Sequence, residues 1–507
     1  MKTFYNLSIM TLFLPFIIPV LNFFLQAYPR FYNKLFGVDV WTRLLETDHI
    51  RKNKHKIPKD KIAEQFIIDG NFDYPPVFPF LLSFIPKKKL LGLQGFIAPF
   101  IDSLQVILVY FTALFTTDNV NLALLSQVMY MLTPMIAIEN SYLTPRSLGY
   151  LNFSLATLPL LFYIYFGNPW FFVVGILFAT LLFVTHRFAM QSFLFITIFF
   201  TFYLNTTVFI QSYLIGFALT VIVTKGYYLR VLKGHAYNIY FWINNLDYRF
   251  AHQVRGIIKK QTKTDLVGKI YIFLAVFSPI AVFGLNPWSF SSFIIIAAKY
   301  LNLFPVSPLI FTFAVWIIFF YLFGVIVLKT KYLMPIGEGQ RYMEMATVPS
   351  CILSAYIVYQ LLNTTLRTPT IISIIILFLI NLVIIITIQI KAVINDRNRS
   401  ITKDLMKVFR FINKQKIAPR IICIPHQNTT MTIYHTKAQV FVNADNPGLM
   451  RIQEVYPILK LPLKTLTKKY SLTHALVKES FIALKELKLA SKDIVFESGD
   501  VKLVKLR

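Results

Sequence analysis

The sequence predicts a mainly α-helical, polytopic membrane protein that ends in a small soluble α/β domain. Three observations predict it. Hydrophobic residues make up 56% of the 507-residue chain, charged residues 15%, and the mean hydropathy is +0.60. An ordinary soluble domain is about 45–50% apolar and about 25% charged, so this chain has apolar surface to spare for lipid. Apolar runs of span length recur as far as residue 392 and then stop.

The runs lie at about 7–26, 96–117, 120–138, 148–166, 170–185, 189–204, 207–224, 267–285, 290–304, 307–328, 346–365 and 369–392. Some are short, so about 11–13 spans are expected in a transmembrane domain over 1–392. The first run follows Met1-Lys2 and reads as an uncleaved span, because no small-residue cleavage site follows it. The 50 Phe and 27 Tyr residues suit lipid-facing surface and interfacial belts.

The first extramembrane loop, 27–95, mixes charge, proline and aromatics. Within it Val40, Leu44, Leu45 and Ile50 recur at helical spacing, which predicts a short helix along the membrane surface over 39–53. The segment 226–266 is strongly basic, and the positive-inside rule assigns it to the cytoplasm. Merging 189–224 into one crossing reconciles that side with the span count. It also places the loop 329–345 and the C-terminal domain on the side of the first loop.

From 393 to 507 the apolar runs shrink to strand length. Ile421–Ile424, Met431–Tyr434 and Val440–Val442 read as strands, while Asp404–Asn413 and Leu472–Leu489 contain helical stretches. Asp493–Glu497 and Val501–Lys505 flank Ser498-Gly499-Asp500, a hairpin signal.

The net charge is +28, carried mostly between and after apolar runs. Such cations anchor loops to anionic lipid head groups, hold a phosphate-bearing substrate, or both. Nucleic acid is not an expected partner. Cys351 and Cys423 are too few for a disulfide framework, and their spacing suggests no metal site.

Five clusters of ionisable residues lie at membrane boundaries, where such residues are functional candidates. Asp39, in Gly37-Val38-Asp39-Val40-Trp41-Thr42-Arg43, is either a general base or the cap of the following helix. Asp73 precedes Tyr74-Pro75-Pro76, whose prolines lock an extended approach to the next element. It binds sugar hydroxyls or caps a turn. Glu139 and Arg146 pair with one another, or serve an acceptor and a phosphate separately. His186 and Arg187 end the fifth run, where Arg187 snorkels to the interface or meets a substrate. Arg341 and Glu344, three apart in Gly337-Glu338-Gly339-Gln340-Arg341-Tyr342-Met343-Glu344, share a helix face as a salt bridge, or Arg341 clamps a lipid phosphate. No Walker loop, nucleotide fingerprint or zinc spacing is present. A transferase lacking a nucleotide fold needs another activated donor, and a membrane protein can draw a polyprenyl phosphate sugar from the bilayer.

In this setting the chain resembles the GT-C superfamily of lipid-dependent glycosyltransferases. The resemblance rests on an aspartate just after the first span, a long first loop, many spans and a small terminal domain. Asp39 through Arg51 to Ile57-Pro58, then Asp73-Tyr74-Pro75-Pro76, is similar to prokaryotic protein-mannosyltransferase-like membrane proteins. Thr144-Pro145-Arg146-Ser147-Leu148-Gly149, His186-Arg187-Phe188 and the 337–344 stretch fit the same group. The resemblance covers roughly residues 1–390. It implies a GT-C-type bundle in which Asp39 is the catalytic base and a basic residue, here Arg341, binds the donor phosphate. The implied reaction inverts the anomeric centre as one sugar, mannose or another hexose or pentose, passes from a polyprenyl or dolichyl phosphate to a glycan, lipid or protein acceptor at the outer membrane face. It implies a multi-pass protein of a prokaryotic cell membrane. A divalent cation is compatible with this chemistry, but no spacing indicates one.

Two departures bear on the acceptor. No two of the five tryptophans are adjacent, so the Trp-Trp-Asp signature of oligosaccharyltransferases is absent. Asp39 is followed by Val40, so the paired acids of protein O-mannosyltransferases are absent too. A transporter or flippase of lipid-linked glycans is the alternative, and it requires polar residues along a path within the spans.

Overall fold

The computed structural model describes residues 9–58, 62–68, 70–246, 283–442 and 446–506. The expected span at 267–285 lies almost wholly outside them, as do residues 247–266 of the basic segment.

Helices of the bundle carry large apolar side chains on their outer surface as well as in their core. Ile9–Tyr32 exposes Phe13, Phe16, Ile17, Val20, Leu21 and Phe24, while Asn22, Gln26 and Arg30 are buried. Water cannot satisfy polar groups in lipid, so they turn inward and bond one another. Asn22 and Gln26 donate to the Asp102 carboxylate at 3.1 and 2.6 Å, and the Tyr130 hydroxyl donates to it at 2.9 Å.

Among the described residues four helices are long and apolar enough to cross a membrane alone: Ile97–Thr117, Arg146–Phe166, Pro308–Lys329 and Arg367–Ile394. Val208–Val223 and Tyr227–Ile243 qualify only together, and bend by 115°. Val120–Met131, Pro169–Phe183, Arg187–Tyr203 and Thr347–Leu362 are apolar but shorter. Sharp turns separate the helices. Asn119 and Asn168 cap the helices that follow them, and Asp118 and Asn205 adopt positive φ.

Residues 189–224 do not form one crossing, contrary to the merged reading. The chain breaks after Tyr203, with Asn205 at φ +48°, and turns back on itself. Phe200 meets Phe209 at 5.0 Å and Phe193 stacks on Tyr213 at 6.0 Å, which is the pairing of an antiparallel hairpin. Gly216 of the returning helix packs instead on helix Pro169–Phe183, where a β-carbon on Gly216 would be 3.3 Å from the Thr180 backbone nitrogen.

The C-terminal residues form a five-stranded mixed sheet in the order β2-β1-β3-β5-β4: β1 Arg420–Ile424, β2 Gln439–Val440, β3 His474–Lys478, β4 Ile494–Ser498 and β5 Val501–Lys505. The β4–β5 hairpin and helix Lys403–Lys414 match the sequence reading. One expectation does not hold, and another holds only in part. Met431–Tyr434 lies within helix Asn428–His435, where Thr432 and Thr436 return their hydroxyls to carbonyls four residues back. Leu472–Leu489 has its helical stretch only in the short 3-10 turn Leu484–Leu487, and its first part is central strand β3, buried between β1 and β5.

This sheet is not isolated from the first loop. Phe66 bridges Val440, with Ile67 N donating to the Val440 carbonyl at 2.7 Å, so the loop extends the β2 edge. Phe36 bridges Ser400, and Gly37 N donates to the Arg399 carbonyl at 2.8 Å. Trp41 packs on Tyr434 and His435. One apolar core therefore runs from Val40 and Trp41 through Phe72 and Phe78 into Ile421–Ile424 and Val501–Val504. The helix expected over 39–53 is present as Asp39–Lys52, but its apolar face covers this core.

Candidate active site

Asp39 is the first residue of helix Asp39–Lys52. The N-cap position belongs to Val38 and has no side-chain capping bond, so Asp39 does not cap the helix. Gly37, at φ +110°, makes the turn before it; a β-carbon there would sit 2.6 Å from Val40 Cγ2. The C-terminal domain holds the same turn through Phe36, Gly37 and the Val38 carbonyl, which accepts from Thr430 Oγ1 at 3.3 Å. Asp39 itself is exposed and has no hydrogen-bond or ion-pair partner among the described residues. Its charge acts on Arg43, Tyr74, Tyr142, Arg146 and Arg341, so all five lie within electrostatic reach of it.

The arginines come from four elements. Arg43 lies one turn along from Asp39 and is bound to Glu46 at 2.5 Å. Arg146 starts helix Arg146–Phe166 and pairs with Glu139. Arg187 starts helix Arg187–Tyr203 and binds the Asp73 carboxylate at 3.3 Å. Arg341 lies on the short helix Gly339–Glu344 and binds Glu338 at 2.8 Å. Each guanidinium thus holds one carboxylate, and Asp39 stands among them without its own cation.

His186 marks their meeting point. It is buried and caps helix Arg187–Tyr203, its Nδ1 accepting from Ala189 N at 3.3 Å. Burial, then the charges of Arg146, Arg341, Arg43 and Arg187, hold its imidazole well below the usual range. His186 is therefore neutral, and its proximity to all four guanidinium groups shows that they share one end of the bundle.

Tyr74 lies between two of them, its ring centroid 3.6 Å from the Arg43 guanidinium carbon and 4.9 Å from that of Arg187. Burial, then the Asp39 charge, pushes the Tyr142 hydroxyl up to about 12, with Arg341 and Arg399 opposing. Arg399 reaches this cluster from the C-terminal domain.

Two glycines explain the 337–344 stretch. Gly337 has φ +145°, and a β-carbon there would lie 2.6 Å from the Phe188 ring. Gly339 packs against Gly324 of helix Pro308–Lys329, where a β-carbon would fall 2.2 Å from the Gly324 carbonyl. The expected Arg341–Glu344 pair does not form: Arg341 takes Glu338, and Glu344 turns into the bundle. Burial raises the Glu344 carboxyl to about 8, against the pull of Arg146. Its Oε2 is buried without a hydrogen-bond partner among the described residues.

Asp39, Asp73, Glu139, Arg146, His186, Arg187 and Arg341 thus gather at one end of the bundle, with Glu344 just beneath. Glu338, Arg43, Tyr74, Tyr142 and Arg399 belong to the same cluster and were not singled out from sequence. Tyr74, Arg43 and Glu338 lie inside stretches the sequence marks; Arg399 carries no local signal. Among the described residues no group of three or more His, Cys, Asp or Glu side chains is placed to hold a metal ion.

No family model matches the chain, and no curated protein matches it. Solved structures do. ArnT from Cupriavidus metallidurans, bound to undecaprenyl phosphate, matches over 98% of both chains at 12% identity with a TM-score of 0.58. The archaeal oligosaccharyltransferase AglB from Archaeoglobus fulgidus, in complex with an inhibitory peptide and a dolichol-phosphate, matches over 93% of this chain and 69% of its own, at 10% identity and TM-score 0.61. The same organism's oligosaccharyltransferase in complex with Zn and sulfate matches over 92% and 68%, at 11% identity and TM-score 0.58. These are lipid-dependent glycosyltransferases of the GT-C superfamily. The chain has the GT-C fold. Identity this low speaks to the GT-C fold and not to sugar or acceptor, which depend on the site.

Proposed function

We propose that the chain is an inverting membrane glycosyltransferase that moves a single sugar from a polyprenyl phosphate donor to a hydroxyl-bearing acceptor at the outer face of a prokaryotic cell membrane. The observation that carries this reading is the placement of Asp39: an exposed carboxylate with no ion-pair partner among the described residues, within electrostatic reach of Arg43, Arg146 and Arg341. A base must be open to its substrate, and the groups that receive the leaving phosphate must stand nearby.

In the proposed reaction Asp39 accepts the proton of the acceptor hydroxyl. The acceptor oxygen forms its bond to the anomeric carbon as the bond from that carbon to the phosphate oxygen breaks. The polyprenyl phosphate leaves with the electron pair, and the configuration inverts. Arg341, about one-third exposed and bound to Glu338, meets the phosphate. A charge-assisted contact there strengthens as the leaving group gains charge. Arg146 and Arg187, tied to Glu139 and Asp73, shape the surrounding field.

The donor class is tested with the purified protein and two mannose donors, one on a polyprenyl phosphate and one on a nucleoside diphosphate. Use of the first and not the second is expected, with Arg341→Ala weakening donor binding about tenfold or more. Turnover of the nucleotide sugar alone would reject the reading.

A lipid-linked glycan flippase remains the second reading, because Asp102, Asn22 and Gln26 form a buried polar group within the bundle. Every contact of Asp102 is satisfied by neighbouring helices, which suits a structural tie. Flipping of a labelled polyprenyl phosphate sugar by Asp39→Asn protein would favour that reading.

A further inference from the structure

We propose that a small buried cavity at Glu344 binds a single ordered water, which ties the helix that carries Arg341 to two helices of the bundle. The bearing of that tie on the donor phosphate rests on the proposed function; the water site itself does not.

Three elements meet at this cavity. Gln105 comes from helix Ile97–Thr117, Tyr150 and Ser154 from helix Arg146–Phe166, and Glu344 ends the short helix Gly339–Glu344. The space open to a water-sized sphere is about 10 Å³, which is what one water needs. Gln105, Tyr150 and Glu344 are 2%, 5% and 5% exposed. Each carries an oxygen without a hydrogen-bond partner among the described residues: Gln105 Oε1, the Tyr150 hydroxyl and Glu344 Oε2. Buried polar atoms are paired in the large majority of cases, so three orphans from three elements on one cavity point to a shared partner.

The other polar groups of the lining are already paired. Gln105 Nε2 donates to Ser154 Oγ at 2.7 Å, the Tyr130 hydroxyl to the Asp102 carboxylate at 2.9 Å, and Thr347 Oγ1 to the Glu344 carbonyl at 2.8 Å. The remaining lining side chains are apolar. One water satisfies all three orphans. It accepts from the Tyr150 hydroxyl and donates to Gln105 Oε1, and it can donate to Glu344 Oε2 or accept from it, whichever form the carboxyl holds. A cation fits less well. Burial holds the Glu344 carboxyl at about 8, so the group is neutral at pH 7, and the charge of Arg146 already acts on it. Magnesium and calcium also take six or more oxygen ligands, twice the number of orphans here.

The site lies next to the donor-phosphate arginine in sequence and in space. Arg341 precedes Glu344 by three residues on the same short helix. That helix is otherwise held by Gly339 against Gly324 and by the Tyr342 hydroxyl, which donates to the Ile336 carbonyl at 3.0 Å. A water at Glu344 adds ties to helices Ile97–Thr117 and Arg146–Phe166, and the second of these begins at Arg146. Glu344 is therefore a positioning residue: it acts through the short helix on where the Arg341 guanidinium stands.

The test is a high-resolution structure of the full chain in nanodiscs, joined to undecaprenyl phosphate binding. One density peak is expected at hydrogen-bonding distance, about 2.6–3.2 Å, from Gln105 Oε1, the Tyr150 hydroxyl and Glu344 Oε2. A cavity without a peak, or a peak at metal-ligand distances of about 2.0–2.6 Å, would overturn the water site. Tyr150→Phe removes one hydroxyl and keeps the ring. It is expected to weaken undecaprenyl phosphate binding by about threefold to tenfold, as is Glu344→Leu. Glu344→Gln can still bond the water and is expected to recover most of what Glu344→Leu loses. Undiminished binding in both Tyr150→Phe and Glu344→Leu, or a Glu344→Gln protein as weak as Glu344→Leu, would overturn the positioning role. Wild-type protein that binds no undecaprenyl phosphate would count against the proposed function, and the density would still decide the water.

Discussion

The Asp73 carboxylate lies directly on the backbone of Gly234, so close that any β-carbon at residue 234 would stand 2.3 Å from Oδ2. The carboxylate cannot readily retreat, because Arg187 holds both its side chain and its carbonyl. Gly234→Ala is expected to lower stability by about 1–3 kcal/mol, the usual cost of overpacking. Gly92→Ala, at a position with nothing within 4 Å of the added carbon, is the neutral comparison. Thermal melts in detergent measure both.

Removing one member of the Arg187–Asp73 pair should cost more than removing both. Asp73 is 2% exposed, so Arg187→Ala takes a cation from a buried carboxylate, at a cost of up to about 3–5 kcal/mol. Arg187→Ala/Asp73→Asn is expected to recover part of that loss. Additive losses in a double-mutant cycle would show that the pair is not coupled.

Glu344 carries its proton at neutral pH, because burial raises it to about 8. Its folded value lies above the unfolded value, so its contribution to stability is full below about 4.5 and is lost as pH rises toward 8. Glu344→Gln is expected to keep the fold and to remove this alkaline loss. An unchanged melting profile between pH 6 and 9 would contradict the assignment.

His426 acts in the opposite sense. Burial lowers it to about 4, below the unfolded value near 6.5. Its contribution is full above about 6.5 and is lost as pH falls toward 4, by roughly 3 kcal/mol. His426→Gln is expected to flatten the acid limb of the melting profile. An acid limb of the same depth in the variant would place the loss elsewhere.

Much of this architecture is legible in sequence because lipid imposes a strong pattern. Runs such as 307–328 and 369–392 match helices Pro308–Lys329 and Arg367–Gln389 closely. The run over 189–224 misleads because both halves are apolar, and only Asn205 marks the reversal. Met431–Tyr434 looks like a strand from its β-branched neighbours, yet tertiary burial and hydroxyl bonding make it helix. At the site, Asp39, Asp73 and Arg341 stand out because charges at span ends are costly and scarce. Their partners do not: Glu338 pairs with Arg341 in place of Glu344 because the Gly337 and Gly339 contacts fix how the loop turns. Arg399 reaches the cluster through sheet bridging over hundreds of residues, which leaves no local trace.

The central claim is that Asp39 is the base, and single-turnover transfer by Asp39→Asn tests it most directly. The assay uses a mannosyl polyprenyl phosphate and measures donor binding in the same preparation. Asparagine keeps the size and the position on helix Asp39–Lys52 but cannot accept the proton, and general-base assistance is worth roughly 10²–10⁴-fold. The expected result is transfer slowed by about that factor with donor binding unchanged. Transfer at the wild-type rate with intact donor binding would contradict the claim.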